Sequence, residues 1–169
     1  EQYRVIEKMP ADLARAGRYK VEEDAHSVFN NAFTNEGYDG KPLIAADHPL
    51  LGGGTCSNYV DGVFSDETLK KATTLFRQQK DEAGKLIQMK PDTLVVPPAQ
   101  EWLAYELLKS AQKPGSDLND INSLRDRFKI IVDDFLTDDE AVFLMDSKRH
   151  NLNFFWRVRP EFKRDGDFD

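Results

Sequence analysis

The stretch Pro10-Ala-Asp-Leu-Ala-Arg-Ala-Gly-Arg-Tyr-Lys-Val-Glu-Glu-Asp-Ala-His-Ser-Val-Phe-Asn-Asn-Ala-Phe33 decides the fold of this chain. Apolar residues recur along it at spacings of three and four, which places them on one face of an α-helix. They are Leu13, Gly17, Val21, Ala25, Val28, Phe29, Ala32 and Phe33. Pro10 suits the first turn of such a helix, because its missing N–H would be unpaired there in any case. About 24 residues at 1.5 Å each give roughly 36 Å. We therefore predict a helical strut that begins at Pro10 and ends at Asn35–Gly37.

The composition indicates a folded chain with an acidic surface. Its 169 residues suit one domain or two small lobes, and 40% hydrophobic residues suffice for a core. A net charge of −7 argues against nucleic-acid binding as the main task. No apolar run approaches the roughly 18 residues of a membrane span. One cysteine excludes an internal disulfide. Because the sequence starts without Met and closes no element at its end, we expect a fragment of a longer protein.

The connector Asp39-Gly-Lys-Pro-Leu-Ile-Ala-Ala-Asp-His-Pro-Leu-Leu-Gly-Gly-Gly-Thr-Cys-Ser-Asn58 contains the strongest candidates for an active site. Cys56 and His48 are candidates for a nucleophile and its base, with the preceding glycines offering N–H groups to an oxyanion. A single cysteine in a glycine-rich turn is more often a small buried residue, and we favour that interpretation. Gly52–Gly54 lacks the Lys and the helix start that a phosphate loop requires, which favours a turning linker.

Two further helices and a buried strand are predicted in the middle of the chain. Ser65 is a suitable N-cap for a helix that we expect to end at Gly84. A strand is predicted at 92–97, and Pro98 opens a third helix that extends to about Ala111. The residues predicted to face inward are Leu69, Ala72, Leu75 and Phe76 in the first of these helices, and Trp102, Leu103, Leu107 and Leu108 in the second.

The last third of the chain carries strand patterns after a polar loop at 112–125. Hairpin-like turns separate three predicted strands at 128–135, 141–146 and 152–159. The order of helices followed by strands indicates an α+β fold. Aromatic and arginine residues at 154–159 could stack nucleic-acid bases. Because neighbouring strand residues point to opposite faces, core packing or subunit contact is the favoured interpretation.

No cofactor or metal site is predicted. The three histidines, His26, His48 and His150, have no partner at metal-ligand spacing. The acidic stretch 133–140 lacks the alternating spacing and the glycine of a calcium loop, so a solvated rim is favoured. We therefore expect no catalytic, cofactor-binding or metal-binding residue.

Several stretches, taken in order, resemble the major capsid subunits of tailed phages, specifically the Mu-like prophage head family with the HK97-type fold. They are Asp39–Leu43 with His48-Pro49, Gly53–Asn58, Arg77–Gly84, Met89–Pro98 and Trp156–Asp169. The ordered set spans about residues 10–169. Cys56 stands where we would expect a polar residue such as glutamine in this family.

The resemblance implies a particular fold and division of the chain. The first helix would be the spine helix of an α+β, HK97-like capsid fold, with a mixed sheet flanked by helices. Residues 1–64 would be a peripheral part with the connector, 65–150 an axial-domain-like part, and 151–169 a return strand towards the peripheral domain. The family's N-terminal arm and extended loop are expected before Glu1, and a final strand after Asp169.

The resemblance also implies a structural, non-enzymatic function. Copies are expected to form hexamers and pentamers, with scaffold and portal proteins as further partners, and to enclose DNA without sequence-specific binding or membrane contact. The expected location is the virion, after assembly in the cytoplasm of the bacterial host. Two alternatives stay open: an encapsulin-like nanocompartment shell, and a small cytosolic hydrolase that uses Cys56 and His48.

Overall fold

The computed structural model describes residues 2–115, 120–159 and 161. The elements in chain order are α1 Gln2–Asn30, β1 His48–Pro49, β2 Thr55–Cys56, α2 Asp66–Arg77, β3 Thr93–Val96, α3 Glu101–Lys109, β4 Lys129–Val132 and β5 Phe143–Met145. A 3₁₀ turn, Pro98–Gln100, leads into α3. Two compact units are distinguished: Glu1–Ala25 together with Leu152–Asp169, and His26–Asn151.

Helix α1 is longer than the sequence pattern predicted. It starts at Gln2, so the prediction that Pro10 opens the helix was wrong, and Pro10 lies inside it. The proline ring removes one hydrogen bond to the carbonyl four residues earlier, yet the helix continues on both sides. Its 29 residues correspond to about 44 Å. The helix ends at Asn30, and Ala32 and Phe33 lie in the turn that follows.

Three strands form a mixed sheet in the order β4-β3-β5. Strand β3 pairs with β4 in parallel and with β5 in antiparallel orientation. All four residues of β3 are buried, as in a central strand that is covered on both faces. The predicted strands at 92–97, 128–135 and 141–146 are therefore confirmed in shorter form. The predicted hairpin between the last two was wrong, because β3 lies between them.

The third strand predicted in this region, at 152–159, is absent. These residues form an irregular, exposed segment, with Phe155 85% and Val158 79% exposed. Residues 160 and 162–169 of the predicted return strand lie outside the described residues.

Apolar side chains cover both faces of the sheet. On one face Leu94 and Val96 pack with residues of α2, α3 and neighbouring loops, namely Phe64, Leu69, Ala104, Leu107, Leu108, Leu124 and Phe128. On the other face Val95 and Phe143 pack with Phe29 at the end of α1 and with Ala32 just after it. The ring centroids of Phe29 and Phe143 lie 5.2 Å apart. The predicted architecture, α+β with a mixed sheet flanked by helices, is confirmed.

Helix α2 begins where the sequence predicted. The Ser65 hydroxyl accepts the Thr68 N–H at 3.3 Å, and the Thr68 hydroxyl accepts the Ser65 N–H at 2.8 Å, so two end groups are satisfied reciprocally. The predicted end at Gly84 was wrong, because α2 stops at Arg77. Gly84 instead occupies a separate turn with a φ of +79°, and its N–H donates to the Asp81 carbonyl at 2.9 Å.

Helix α3 buries one face against the sheet. Ala104 and Leu108 are fully buried and Leu107 is 5% exposed, while the helix ends at Lys109 rather than near Ala111. Trp102 was predicted to face inward, but it is 79% exposed. The reason is rotational: Trp102 lies two residues from Ala104, which is about 200° around the helix.

The polar loop after α3 is anchored by a buried amide. The Asn122 side chain donates to the carbonyls of Leu107 at 2.7 Å and Ser110 at 3.0 Å, and its oxygen accepts the Leu124 N–H at 3.0 Å. These bonds satisfy carbonyls at the C-terminal end of α3. Residues 116–119 of the predicted loop 112–125 lie outside the described residues.

Asp92 joins the start of β3 to the turn after β5. Its carboxylate accepts the Ser147 hydroxyl at 2.5 Å, the Ser147 N–H at 2.9 Å and the Thr93 hydroxyl at 2.8 Å. These bonds, the Ser147 hydroxyl first, lower the pKa of Asp92 to about 2.

We expect Asp92→Asn to reduce the pH dependence of stability. Because the folded pKa lies below the unfolded value of about 3.9, ionised Asp92 stabilises the fold fully above that value. This contribution is lost as the pH falls towards 2. Urea unfolding at several pH values should show the largest difference from wild type near pH 7 and a small one near pH 2. Asp134→Asn, at an exposed position, is the control; a pH-independent difference for Asp92→Asn would contradict the assignment.

The buried and exposed faces of α3 can be separated by two substitutions. Leu108→Ala should lower the free energy of unfolding by about 2–5 kcal/mol, because it leaves a cavity in the core. Trp102→Ala should change it by no more than about 0.5 kcal/mol, because the indole is mostly in solvent. Denaturant unfolding measures both, and equal losses would refute the placement of the two side chains.

Candidate functional site

The glycine-rich connector forms a small β-hairpin. Strands β1 and β2 are antiparallel, with Cys56 opposite His48. Gly53 and Gly54 have φ values of +83° and +87°, a region that side-chain-bearing residues rarely adopt. The Gly53 N–H donates to the Leu50 carbonyl at 3.0 Å, and the Leu50 N–H donates to the Gly54 carbonyl at 3.1 Å. These glycines therefore allow the backbone to form the tight turn of the hairpin.

The imidazole of His48 is held by Asp39. Nδ1 of His48 lies 2.7 Å from Oδ2 of Asp39, and the two side chains are only 19% and 14% exposed. Oδ1 of Asp39 accepts the Lys41 N–H at 3.1 Å. The hydrogen bond with His48 is the main cause that lowers the pKa of Asp39, against an opposing desolvation effect. This pair, which we call the Asp39–His48 clamp, closes the base of the connector.

His48 and Cys56 face each other without forming a nucleophile–base pair. Nε2 of His48 is enclosed and has no hydrogen-bond partner in the part of the chain that the structure describes, the thiol of Cys56 included. The thiol itself is half-buried. The Gly53 N–H, a candidate oxyanion donor, is already bonded within the turn. The geometry is that of a structural connector.

We expect Cys56→Ser to change the melting temperature little, because the thiol holds nothing in place. His48→Ala should lower the melting temperature clearly, because it leaves the enclosed Asp39 carboxylate without its main partner. Thermal melts followed by circular dichroism compare the two variants. A larger loss for Cys56→Ser than for His48→Ala would contradict the assignment of the clamp.

A second histidine–aspartate pair fastens the end of α1 to the chain after β4. Nδ1 of His26 lies 3.0 Å from each carboxylate oxygen of Asp133, which is 6% exposed. Asn30 donates from its side chain to the Phe135 carbonyl at 2.9 Å and accepts the Thr137 N–H at 3.0 Å. The acidic stretch 133–140 was expected to be a solvated rim, but Asp133 is a buried anchor.

The described residues offer no arrangement for a metal ion. Within them no group of three or more His, Cys, Asp or Glu side chains could hold one. The Asp138 carboxylate instead accepts the Glu140 N–H at 2.9 Å, which shapes the local turn. No helix in the described ranges is long and apolar enough to span a membrane.

A cavity of about 720 Å³ opens between α2 and the sheet, and we call it the α2 groove. Its apolar lining includes Leu69, Ala72, Leu75, Phe76, Phe143 and Leu144. The four α2 residues are those predicted to face inward. Leu69 is buried, but the other three are only half-buried because they face the groove. Three acidic residues, Asp61, Asp138 and Glu140, also line it.

Other large apolar side chains are exposed on the surface. In α1, Met9, Leu13 and Tyr19 are each more than 60% exposed. Of these, Leu13 belongs to the predicted apolar stripe, and Gly17 of that stripe is exposed as well. In the irregular segment, Phe154 and Phe155 are 51% and 85% exposed. Where exposed apolar side chains lie next to each other, as Phe154 and Trp156 do, they are candidates for contact with other molecules.

Comparison with solved structures identifies the fold. The chain resembles a chain of the capsid of bacteriophage JBD30 decorated with minor capsid protein trimers, with a TM-score of 0.63 and 15% identity. The match covers 76% of this chain and 66% of that chain, just under two thirds of its length. At this level of identity the likeness establishes the fold, an α+β capsid fold of the HK97 type.

The family follows from the sequence. A family model described as phage capsid protein matches residues 1–169. The chain belongs to this family of structural proteins. No curated protein matches the sequence.

Proposed function

We propose that this protein is the major capsid subunit of a tailed phage or prophage, and that its copies assemble into an icosahedral shell that encloses DNA. The observation that carries the proposal is the phage capsid family match over residues 1–169. The likeness of the fold to a chain of the JBD30 capsid supports it.

The uncovered apolar surface fits assembly. A subunit that makes several contacts with its neighbours must carry apolar side chains that a monomer leaves in water, as at Leu13 and Phe155. Contacts that are individually weak become strong when each subunit makes many of them in a closed particle. The net charge of −7 allows such a shell to hold DNA without adhering to it.

The assembled state defines the proposed partners and location. Copies form hexamers and pentamers, scaffold and portal proteins take part in assembly, and the virion is the final location after assembly in the host cytoplasm. A decorating protein like the minor capsid protein trimers of the JBD30 capsid is a further partner. We assign residues 1–64 to a peripheral part, 65–150 to an axial part and 151–169 to a segment that returns towards the peripheral part. Membership of the Mu-like subgroup stays a prediction.

The proposal includes the absence of catalysis. The enzyme alternative required Nε2 of His48 to pair with the thiol of Cys56, and within the described residues Nε2 is enclosed and has no hydrogen-bond partner. An encapsulin-like shell differs from a phage head by its contents, which are protein cargo instead of DNA. The phage capsid family match favours the head.

Electron microscopy tests the proposal. The protein, expressed in a bacterial host with the genes that flank its own, should form closed particles of uniform size that contain DNA protected from nuclease. Soluble monomers under all conditions would contradict the capsid function. Particles filled with protein would assign the chain to a nanocompartment.

A further inference from the structure

We propose that the aromatic segment, defined as Phe154–Arg159, docks into the α2 groove of a second copy of the chain. This inference rests on the proposed function, because it names one of the contacts by which copies would assemble. It assigns complementary roles to two surfaces that the described structure leaves uncovered.

The aromatic segment has the chemistry of an interface anchor. Phe155 is 85% exposed, and Phe154 and Trp156 are about half exposed. The rings of Phe154 and Trp156 contact each other edge to face, with centroids 5.1 Å apart. Aromatic residues and arginine are the residue types that dominate binding energy at interfaces, and Arg157 and Arg159 supply the latter.

The α2 groove has the complementary chemistry. Its apolar lining suits aromatic rings, and Asp61, Asp138 and Glu140 supply negative charge. Within the described residues, none of these three carboxylates takes part in a salt bridge, and neither guanidinium group of the aromatic segment does so. Opposite charges at the two surfaces would orient the segment and speed its docking.

The sizes of the two surfaces agree. A cavity of about 720 Å³ lies within the range of roughly 300–1,000 Å³ that is typical of concave binding sites. At 150–250 Å² each, and with Phe155 85% and Phe154 and Trp156 about half exposed, the three aromatic side chains have roughly 270–450 Å² left to bury. A stable protein interface buries about 800 Å² on each partner. The three aromatic side chains would therefore supply about a third to a half of one side of an interface.

The symmetry of the contact also suits a shell. The segment of one copy and the groove of the next are different surfaces, so the contact is heterologous and repeats from copy to copy. A heterologous contact generates a closed ring when the rotation between neighbouring copies divides a full turn evenly. Hexamers and pentamers are rings of this kind. A second copy is therefore the occupant that the charges, the sizes and the symmetry favour.

A charge-swap experiment tests the docking in the full chain. One variant carries Arg157→Glu with Arg159→Glu, and the other carries Asp138→Arg with Glu140→Arg. Sedimentation velocity over a range of concentrations should show that each variant self-associates about tenfold more weakly than wild type, because like charges then meet at the contact. An equimolar mixture of the two should regain association, because one mutant segment matches the other variant's mutant groove.

Tryptophan fluorescence reports the docking itself. In a Trp102→Phe background, Trp156 is the sole tryptophan. The emission of Trp156 should shift to the blue as copies that carry only Trp102→Phe associate. The shift should be absent in the two charge-reversed variants. It should return in their mixture.

Matched controls carry equal charge changes elsewhere. Lys129→Glu with Lys148→Glu, and Glu106→Arg with Asp134→Arg, alter exposed residues outside both surfaces and should leave association close to that of wild type. Circular dichroism melts confirm that all variants fold.

Each outcome decides the inference. Reversed variants that associate and assemble like wild type overturn the docking and leave the capsid function standing. If association returns when all four reversals are placed in one chain but not in the mixture of the two variants, the segment and the groove meet within one molecule. That result overturns docking between copies. Rescue that requires an added scaffold protein assigns the groove to that protein and overturns it as well. A wild-type protein that never associates overturns both this inference and the proposed function.

Discussion

The pairing of β3 on both of its edges is the constraint on which the rest of this structure depends. Its four residues, Thr93–Val96, are buried, so every backbone group there must find a partner within the protein. β4 and β5 provide those partners on either side. Leu94 and Val96 then fix the positions of α2 and α3 on one face, and Val95 fixes the end of α1 on the other. A strand that is covered on both faces is usually a nearly continuous run of apolar residues, and this run made β3 predictable from the sequence.

Polar anchors hold the irregular parts of the chain to this sheet. The Asp39–His48 clamp, the His26–Asp133 pair and the buried Asn122 each fasten a loop or a helix end by hydrogen bonds. These hydrogen bonds pair polar groups inside the protein. Many large apolar side chains outside the core remain exposed to solvent. The α2 groove and the exposed side chains of α1 are consistent with a subunit that completes its burial by contact with other copies.

The sequence predicted the elements with strong local signals and failed where distant parts decide. The Ser65 cap and the strand at β3 were predicted because capping and an apolar run are local properties. The helix start was predicted wrongly at Pro10, because proline is favoured at a first turn and costly inside a helix, yet α1 continues through this residue. The pairing order of the sheet and the His26–Asp133 bond join residues far apart in sequence, 107 positions for the latter, and no local pattern reports them. For Cys56 the sequence favoured a structural role only because lone cysteines in glycine-rich turns usually have one. The physical reason is visible only in the structure, where the imidazole of His48 does not pair with the thiol.

Hydrogen–deuterium exchange measured on dilute subunits and on assembled particles tests the central claim most directly. The account predicts that the amides of β3 are strongly protected in both states, because their protection comes from the sheet. It predicts that residues 154–159 and the groove-facing turns of α2 exchange quickly in dilute subunits and become protected in particles. Fast exchange of β3 in the dilute subunit, or unchanged exchange at 154–159 after assembly, would contradict it.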